Sequence, residues 1–441
     1  MISILRNPTY AKLLAAQVVA LVGTGLLTVA LGLLAFDLAG ANAGIVLGIA
    51  YTLKMVTYVG LSPLIQALVV RLPRKGVLMS ADLVRAGVAL CLPFVTEVWQ
   101  IYVLIFTLQT ASAVFTPTYQ ALLPDVLPAE SEYTRALALS RAAYDIENVT
   151  SPVIAGLLLS VTGYSVLFLG TVIGFAASAA LVWIAALPPQ ARGASEQPFL
   201  HRASRGVRLY LATPRLRGLL ALSFIVAAVS GYVIVNTVVL VRDLYSGSET
   251  DLAWAVGAYG AGSLTAALTV PMWLDRIDDR SLLMPLGVIL AVLMLGVATF
   301  VAFGAWPQWA VFLLIWAVFG ALYSALQTPS GRLIRRSALP QDRPALFTAQ
   351  FALSHACWLV TYPLAGWAGV MLGQASALAL LGGLSLVAAG LAAFLWPRAQ
   401  TGEVAHEHPE LPDDHPHLKG TGHIHAHPPR QDGLHRDWPR P

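Results

Sequence analysis

Long apolar stretches separated by short polar turns run through the chain from about residue 12 to residue 396. A helix that crosses the hydrocarbon core of a bilayer needs about 20 mostly apolar residues. The pattern therefore predicts an all-α membrane protein with twelve transmembrane helices in two pseudo-symmetric six-helix halves. The predicted spans cover residues 12–37, 43–70, 76–97, 99–122, 133–161, 164–187, 215–241, 252–274, 281–303, 307–330, 344–372 and 375–396.

Two polar stretches divide the chain into larger parts. We expect an N-terminal half at 1–187, a cytoplasmic linker at 188–214, a C-terminal half at 215–396 and a disordered histidine-rich tail at 397–441. Within the linker, Arg202, Arg205 and Arg208 recur at helical spacing. They indicate either a short basic helix lying on the membrane surface or an unstructured basic linker.

Positive charge alternates between successive connections. The connections after even-numbered spans are basic, with Arg71, Arg74 and Lys75 in one of them, whereas Arg242 stands alone between spans 7 and 8. Cytoplasmic loops of membrane proteins carry the excess of lysine and arginine. This pattern predicts that both termini lie in the cytoplasm of a cell (inner) membrane protein. The first apolar stretch is too long for a signal peptide and is taken as the first span.

Composition supports a lipid environment. The chain of 441 residues is 57% hydrophobic and 11% charged, with mean hydropathy +0.70, whereas soluble domains carry about 25% charged residues. Neither a GxxxxGK[ST] loop nor a GxGxxG turn is present, which argues against nucleotide-driven pumping. We expect a monomeric transporter rather than an enzyme, with the lipid bilayer as its surroundings, no cofactor and no nucleic-acid partner.

An internal repeat relates the two halves. Thr116-Pro117-Thr118 at the end of span 4 matches Thr328-Pro329-Ser330 at the end of span 10, an offset of 212 residues. Pro152 in span 5 matches Pro363 in span 11, an offset of 211 residues. Parallel repeats of this kind are typical of transporters whose substrate site lies between the repeats near mid-membrane.

Over residues 5–396 the chain resembles the major facilitator superfamily. Its loop between spans 2 and 3, from Gln66 to Lys75, keeps three basic residues of the family signature but has Val70 where the family has Asp. The resemblance implies a charged conformational latch at the cytoplasmic helix ends, and ordinary positive-inside anchoring is the alternative. The latch residues would be Arg71, Arg74, Asp82, Arg85, Asp275 and Arg276.

A second resemblance concerns span 11 and the tail. The stretch from Phe351 to Trp367, which reads FALSHACWLVTYPLAGW, together with the tail is similar to the nickel-resistance exporters of the same superfamily. This similarity implies efflux of a divalent transition metal.

Eight of the ten histidines follow residue 400, and seven of them form His-x-His units. Imidazole binds Ni²⁺, Zn²⁺, Cu²⁺ and Co²⁺. The tail is therefore expected to bind metal, and a solvated polar tail or a purification tag is the alternative. The candidate ligands are His406, His408, His415, His417, His423, His425 and His427.

Ionisable residues inside predicted spans are functional candidates. Lys54 lies in span 2, while Asp145, Glu147 and Asn148 lie in span 5. Span 11 contains His355, which could bind a metal ion together with a span 5 carboxylate. The same carboxylates could carry protons. The alternative is structural pairing, for example of Asp145 with Arg141 or of Lys54 with a span 5 acid.

The sequence thus favours proton-coupled efflux of a divalent transition metal, nickel or cobalt first, as a secondary active transporter. The alternative is an exporter of an organic solute such as a drug or siderophore. A membrane metal sensor that transports nothing is a third possibility. Transport assays separate all three.

Overall fold

A computed structural model describes residues 2–61, 72–188, 199–274, 276–304, 306–337, 343–396, 404–407 and 424–427. For some of these only the backbone is described, among them Arg141, Asp145, Asn148 and all residues of the two last segments. Six predicted site residues lie outside the described residues: Arg71, Asp275, His408, His415, His417 and His423.

Among the described residues, six long helices form the first half. Helix α1 begins where the Asn7 side chain accepts hydrogen bonds from the backbone of Thr9 and Tyr10, with Pro8 at the first helical position. Helix α2 continues into a π-helical turn, Thr57–Leu61. The bounds are α1 Pro8–Ala39, α2 Ala43–Val56, α3 Arg74–Cys91, α4 Val98–Val126, α5 Glu130–Leu159 and α6 Ser165–Ile184.

In the described part of the chain that follows there are eight helices, of which six are long. The bounds are α7 Phe199–Ala212, α8 Pro214–Val239, α9 Glu249–Leu274, α10 Asp279–Ala302, α11 Trp309–Gln327, α12 Ser330–Ser337, α13 Arg343–Met371 and α14 Gln374–Leu395. The long helices correspond in order to the predicted spans. By length and composition, eight segments of the described chain can cross a membrane, the first of which contains both α1 and α2. Helices α5, α9 and α13 are not among them.

The matched prolines of the repeat have different local structures. Helix α4 runs through Pro117 and ends at Val126, whereas α11 ends at Gln327 and a separate helix begins at Ser330, just after Pro329. Proline lacks the amide proton that the helical hydrogen-bond pattern requires, so either outcome is available to the chain. At this position the two halves are therefore more similar in sequence than in backbone conformation.

Helix packing defines two bundles and the contact between them. In the first bundle α6 packs on α1 and α3; in the second, α9 packs on α11 and α14 packs on α10 and α8. The bundles meet where α2 packs on α13 and α5 on α9. Span 2 therefore lies against span 11.

The linker contains a helix that is attached to the second bundle. The hydroxyl of Tyr210 in α7 donates to the side-chain oxygen of Gln350 in α13, and the Gln350 amide lies 3.3 Å from the Ser223 hydroxyl of α8. Tyr210 is fully buried, whereas Arg208 is exposed. Of the two alternatives for the linker, the helix is therefore the one observed over 199–212.

Two short strands lie in the tail. Strand β1, Val404–Glu407, pairs antiparallel with β2, Ile424–His427. His406 is opposite His425 in this register, and Val404 is opposite His427. Disorder of the remaining tail stays a prediction, since those residues lie outside the described chain.

Candidate functional site

Lys54 and Glu147 form a half-buried pair of opposite charges within the first bundle. Lys54 lies near the end of α2 and Glu147 in the middle of α5, and the two interact electrostatically. The Lys54 ammonium also lies 5.8 Å from the centre of the Tyr58 ring. Buried charges need such partners because removing them from water is costly.

Gly25 of α1 lies directly against Glu147 and Ser151 of α5. A Cβ atom at Gly25 would come within 2.3 Å of the Glu147 Oε1 atom and 2.2 Å of the Ser151 Cβ atom. Only glycine leaves room for α5 at this distance. The carboxylate is therefore held between α1 and the Lys54 side chain.

His355 lies on α13, opposite the end of α2. Its Nδ1 atom is 2.7 Å from the backbone oxygen of Phe351. A carbonyl oxygen only accepts hydrogen bonds, so Nδ1 is the donor in this contact. Lys54 lies close enough to interact electrostatically with the imidazole.

Aromatic rings surround His355 along the contact of α2 with α13. The imidazole centre lies 4.0 Å from that of Phe351, 5.7 Å from that of Trp358 and 6.0 Å from that of Tyr58. One or two turns further along, the rings of Tyr51 and Tyr362 lie 5.2 Å apart. We call these six residues the inter-bundle aromatic cluster: Tyr51, Tyr58, Phe351, His355, Trp358 and Tyr362.

Sequence reasoning assigned no role to five members of this cluster, although a signal was present. The α13 members recur at positions 351, 355, 358 and 362, and the α2 members flank Lys54 at positions 51 and 58. Residues at these intervals share one helix face. Reading this spacing as a facing pair of aromatic stripes would have found them.

The metal pair expected from the sequence, His355 with a span 5 carboxylate, stays a prediction. Glu147 lies against α1 and Lys54, whereas His355 lies against α2 and its own helix. Among residues whose side chains the structure describes, no group of three His, Cys, Asp or Glu could hold a metal ion. Asp145 and Asn148 are described by their backbone in α5 alone.

Asp82 and Arg85 form a buried ion pair one turn apart on α3, with side chains 0% and 7% exposed. Asp82 also accepts a hydrogen bond of 2.7 Å from Ser178 of α6. The Arg85 guanidinium lies 4.4 Å from the Phe115 ring of α4 and 4.6 Å from the Phe175 ring of α6. In this conformation the pair joins three helices of the first bundle.

Each bundle has its own ion pair where α3 and α10 begin. Arg74 of α3 pairs with Asp125 of α4. In the second bundle Asp279 of α10 binds Arg332 at 3.2 Å and Arg336 at 3.1 Å, both from α12. The helix start thus carries the base in the first bundle, at Arg74 of α3, and the acid in the second bundle, at Asp279 of α10. Arg276, the remaining described latch candidate, is exposed.

Small residues allow α2 and α13 to approach closely at the end of their contact that lies away from His355. A Cβ atom at Gly366 of α13 would lie 2.3 Å from the Gly44 backbone oxygen of α2, and one at Gly48 would lie 2.9 Å from the Tyr362 backbone oxygen. Nearby, the amide of Asn236 donates to the Ala365 carbonyl at 3.1 Å. Small-residue contacts of this type allow helix backbones to approach closely in membranes.

At the same end, a polar contact joins the residue before α6 to helices α1 and α9. The Tyr164 hydroxyl, just before α6, bonds to the Asp37 carboxylate of α1, and the Tyr164 backbone bonds to the Glu249 carboxylate of α9. The Arg242 guanidinium lies 5.7 Å from the Phe36 ring centre. Burial and the neighbouring carboxylates raise the pKa of Tyr164, so its hydroxyl stays protonated and donates.

Known proteins with similar sequences and folds were found for this chain. Residues 13–244 and 219–429 match the model of the Major Facilitator Superfamily. The chain is 25% identical over 328 residues to macrolide efflux protein A of Streptococcus pyogenes, covering 71% of this chain and 78% of that protein.

Two further likenesses agree with this match. Macrolide efflux protein A of Enterococcus faecalis is 25% identical over 290 residues, covering 63% of this chain and 87% of that protein. The crystal structure of a D-xylose–proton symporter superposes with a TM-score of 0.66 at 14% identity, covering 90% of this chain and 98% of that one. At that identity the superposition speaks for the fold alone.

Proposed function

Since the chain belongs to the Major Facilitator Superfamily, we propose that it is a proton-coupled exporter of a bulky organic solute. The observation that carries this proposal is the inter-bundle aromatic cluster beside the Lys54–Glu147 pair. Aromatic faces bind large apolar and cationic organic groups. The similarity to two macrolide efflux proteins supports an organic solute from the drug class.

The cluster suits alternating access because its two sides belong to different bundles. Tyr51 lies in α2 and Tyr58 in the π-helical turn that continues it, whereas the other ring-bearing residues, Phe351, His355, Trp358 and Tyr362, lie in α13. Phe351 is 46% exposed, so part of the cluster is open to a ligand. A solute that stacks between the two sides would be held in one conformation and released when the bundles separate.

Glu147 is the proposed proton carrier. Protonation of its carboxylate removes the charge that faces Lys54 and leaves a half-buried ammonium without its counter-charge, which is costly in the membrane. The protein then favours a conformation in which Lys54 meets water or another acceptor. Proton binding thereby becomes coupled to movement of the bundles. Asp145 and Asn148 on the same helix remain candidates for the cavity wall.

The proposed topology has twelve spans with both termini in the cytoplasm of the inner membrane. The alternating positive charge of the connections supports that orientation. It would place the glycine contact of Gly44 and Gly366 on the outer side. The tight packing there then closes the outer end of the site in this conformation.

An organic solute is favoured over nickel or cobalt as the cargo. The Lys54 ammonium lies near His355, and a positive charge at that distance disfavours binding of a divalent cation to the imidazole. The histidines of the tail lie in a different part of the chain.

Transport in proteoliposomes tests the proposal. Efflux of a macrolide, a cationic dye and radioactive nickel would be compared with and without a pH gradient. We expect gradient-driven movement of an organic compound, lost in Glu147→Gln and kept in Glu132→Gln, a control on the same helix. Movement of nickel without movement of any organic compound would overturn the proposed cargo. Absence of any flux would favour a sensor.

A further inference from the structure

A cavity of about 50 Å³ lies between α1, α8 and α9. Its wall is mostly apolar and includes Val29 of α1, Val233 of α8 and Leu252 of α9. Sites that enclose a whole drug-sized ligand take about 300–1,000 Å³, whereas a single water molecule needs about 10–15 Å³. The cavity therefore has room for one side group of a solute and not for a whole solute.

Among the described residues, three hydroxyl groups line this cavity, and two of them are already engaged. The Thr28 hydroxyl donates to the Thr24 backbone oxygen at 3.1 Å. The Thr237 hydroxyl donates to the Val233 backbone oxygen and accepts a hydrogen bond of 2.8 Å from the Trp316 indole. Threonine hydroxyls in helices commonly bond back to a carbonyl of the preceding turn. Their protons are thus already used within the protein.

Tyr259 of α9 supplies the third hydroxyl. Its oxygen atom is buried and has no hydrogen-bond partner among the described residues. A buried hydroxyl without a partner is unfavourable, because it has given up its hydrogen bonds to water. Since Tyr259 lines the cavity, a group that enters the cavity can supply the missing acceptor.

The cavity adjoins the inter-bundle aromatic cluster. Tyr259 lies close enough to Tyr362 of that cluster, on α13, to interact with it electrostatically. The ring of Tyr362 in turn lies 5.2 Å from that of Tyr51 on α2. On its other side, the Tyr259 ring lies 5.6 Å from that of Tyr323 on α11. A solute held by the aromatic cluster can therefore extend a side group to Tyr259.

We propose that Tyr259 and this cavity form a subsite for a neutral, oxygen-bearing side group of the exported solute, such as a ketone, ester or ether. The inference rests on the proposed export of an organic solute and names the chemical class that the exporter prefers. The phenol hydroxyl donates one hydrogen bond to the oxygen, and the apolar wall packs against the carbon atoms. A charged group is excluded because no described residue that lines the cavity carries a charge to pair with it.

Binding to the purified full-length protein in detergent tests the subsite without a proton gradient. The two probes are a macrolide, which carries a lactone ester, and tetraphenylphosphonium, an apolar cation without oxygen. Tyr259→Phe removes only the hydroxyl, and we expect it to raise the Kd of the macrolide by roughly 2- to 10-fold, which corresponds to one neutral hydrogen bond. The Kd of tetraphenylphosphonium should not change. Tyr102→Phe on α4, away from the cavity, is the matched control.

The outcomes separate this inference from the proposed function. An unchanged Kd of the macrolide in Tyr259→Phe would overturn the subsite and leave export of an organic solute intact. An equal rise of the Kd for both probes would also overturn it, because a general distortion of the site weakens any ligand. Binding of neither probe by the unmodified protein would contradict the proposed cargo and the subsite together.

A second pair of variants changes the volume of the cavity. A Cβ atom at Gly32 of α1 would lie 3.7 Å from its nearest neighbour, a side-chain atom of Val238. Gly32→Ala therefore fits without displacing a helix, whereas the longer side chain introduced by Gly32→Leu extends into the cavity. We expect Gly32→Leu to weaken macrolide binding at least as much as Tyr259→Phe does, and Gly32→Ala to leave it unchanged. Unchanged macrolide binding by Gly32→Leu would refute occupation of the cavity.

Discussion

The carboxylate of Glu147 lies against the backbone of Gly25, so that one added methyl group at Gly25 would come within 2.3 Å of the Oε1 atom. This contact joins α1 to α5 at the level of the Lys54–Glu147 pair. A glycine in the interior of a long helix is otherwise unfavourable. Glycine is needed at position 25 because any side chain there would collide with the Glu147 carboxylate.

Substituting Gly25→Ala should therefore impair transport. The methyl group forces Glu147 away from Lys54 or separates α1 from α5, at a cost of about 1–3 kcal/mol for overpacking. We expect gradient-driven efflux to fall while the protein still inserts into the membrane. Gly87→Ala is the control, because nothing lies within 4 Å of a Cβ atom there. Normal efflux by the Gly25 variant would contradict the assigned role.

Removing one charge of the Lys54–Glu147 pair should cost more stability than removing both. Lys54→Met leaves a buried carboxylate without its cation, and we expect a loss of about 1–3 kcal/mol because Lys54 is only half-buried. The double variant with Glu147→Gln should regain stability without regaining transport. Thermal unfolding in detergent measures the first effect and proteoliposome efflux the second. Additive losses in the double variant would mean that the two residues do not interact.

Substituting Gly48→Val should open the end of the site that the glycines close. The new Cβ atom would lie 2.9 Å from the Tyr362 backbone oxygen and pushes α2 away from α13. With Cys91→Ser as background, Cys357 of α13 should react faster with a membrane-impermeant maleimide applied outside cells. Gly60→Val, where a Cβ atom meets no neighbour, is the control. Unchanged labelling would place the closure elsewhere.

His355→Ala should reduce organic efflux more than truncation after Gly402. The substitution removes a ring that contacts Phe351 and Tyr58 on both sides of the inter-bundle contact. The truncation removes both tail strands but no residue of the helical bundles. Initial efflux rates and Zn²⁺ binding measured on the same two proteins separate the roles. If truncation abolishes efflux, the tail takes part in transport.

Much of the fold was predictable because each membrane helix is recognisable from its own stretch of sequence. The length of an apolar stretch is set by the bilayer and not by distant residues, so the long helices follow the predicted spans closely. Their ends were less certain. Predicted span 3 extended to residue 97, whereas α3 ends at Cys91. The predicted end of span 2 at residue 70 lies outside the described residues.

The candidate site was only partly predictable. Asp82 and Arg85 could be paired from the sequence since they lie three residues apart on one helix face. The pairing of Lys54 with a span 5 acid was among the alternatives that the sequence offered, and Glu147 is that acid. The neighbours of His355 could not be predicted, because helical spacing defines a face but not the helix that packs against it. The aromatic spacing on α13 was visible, but its contact with Tyr58 depends on how the two bundles meet.

The sequence by itself determined the helical class, the two-part repeat, the alternation of positive charge and the histidine-rich tail. Each of these depends on composition or on spacing within one segment. Tertiary structure decided that Glu147 meets Gly25, that His355 meets Tyr58 and that His406 is paired with His425. These relations join residues far apart in the chain, and they arise from packing and strand register, which no local pattern specifies.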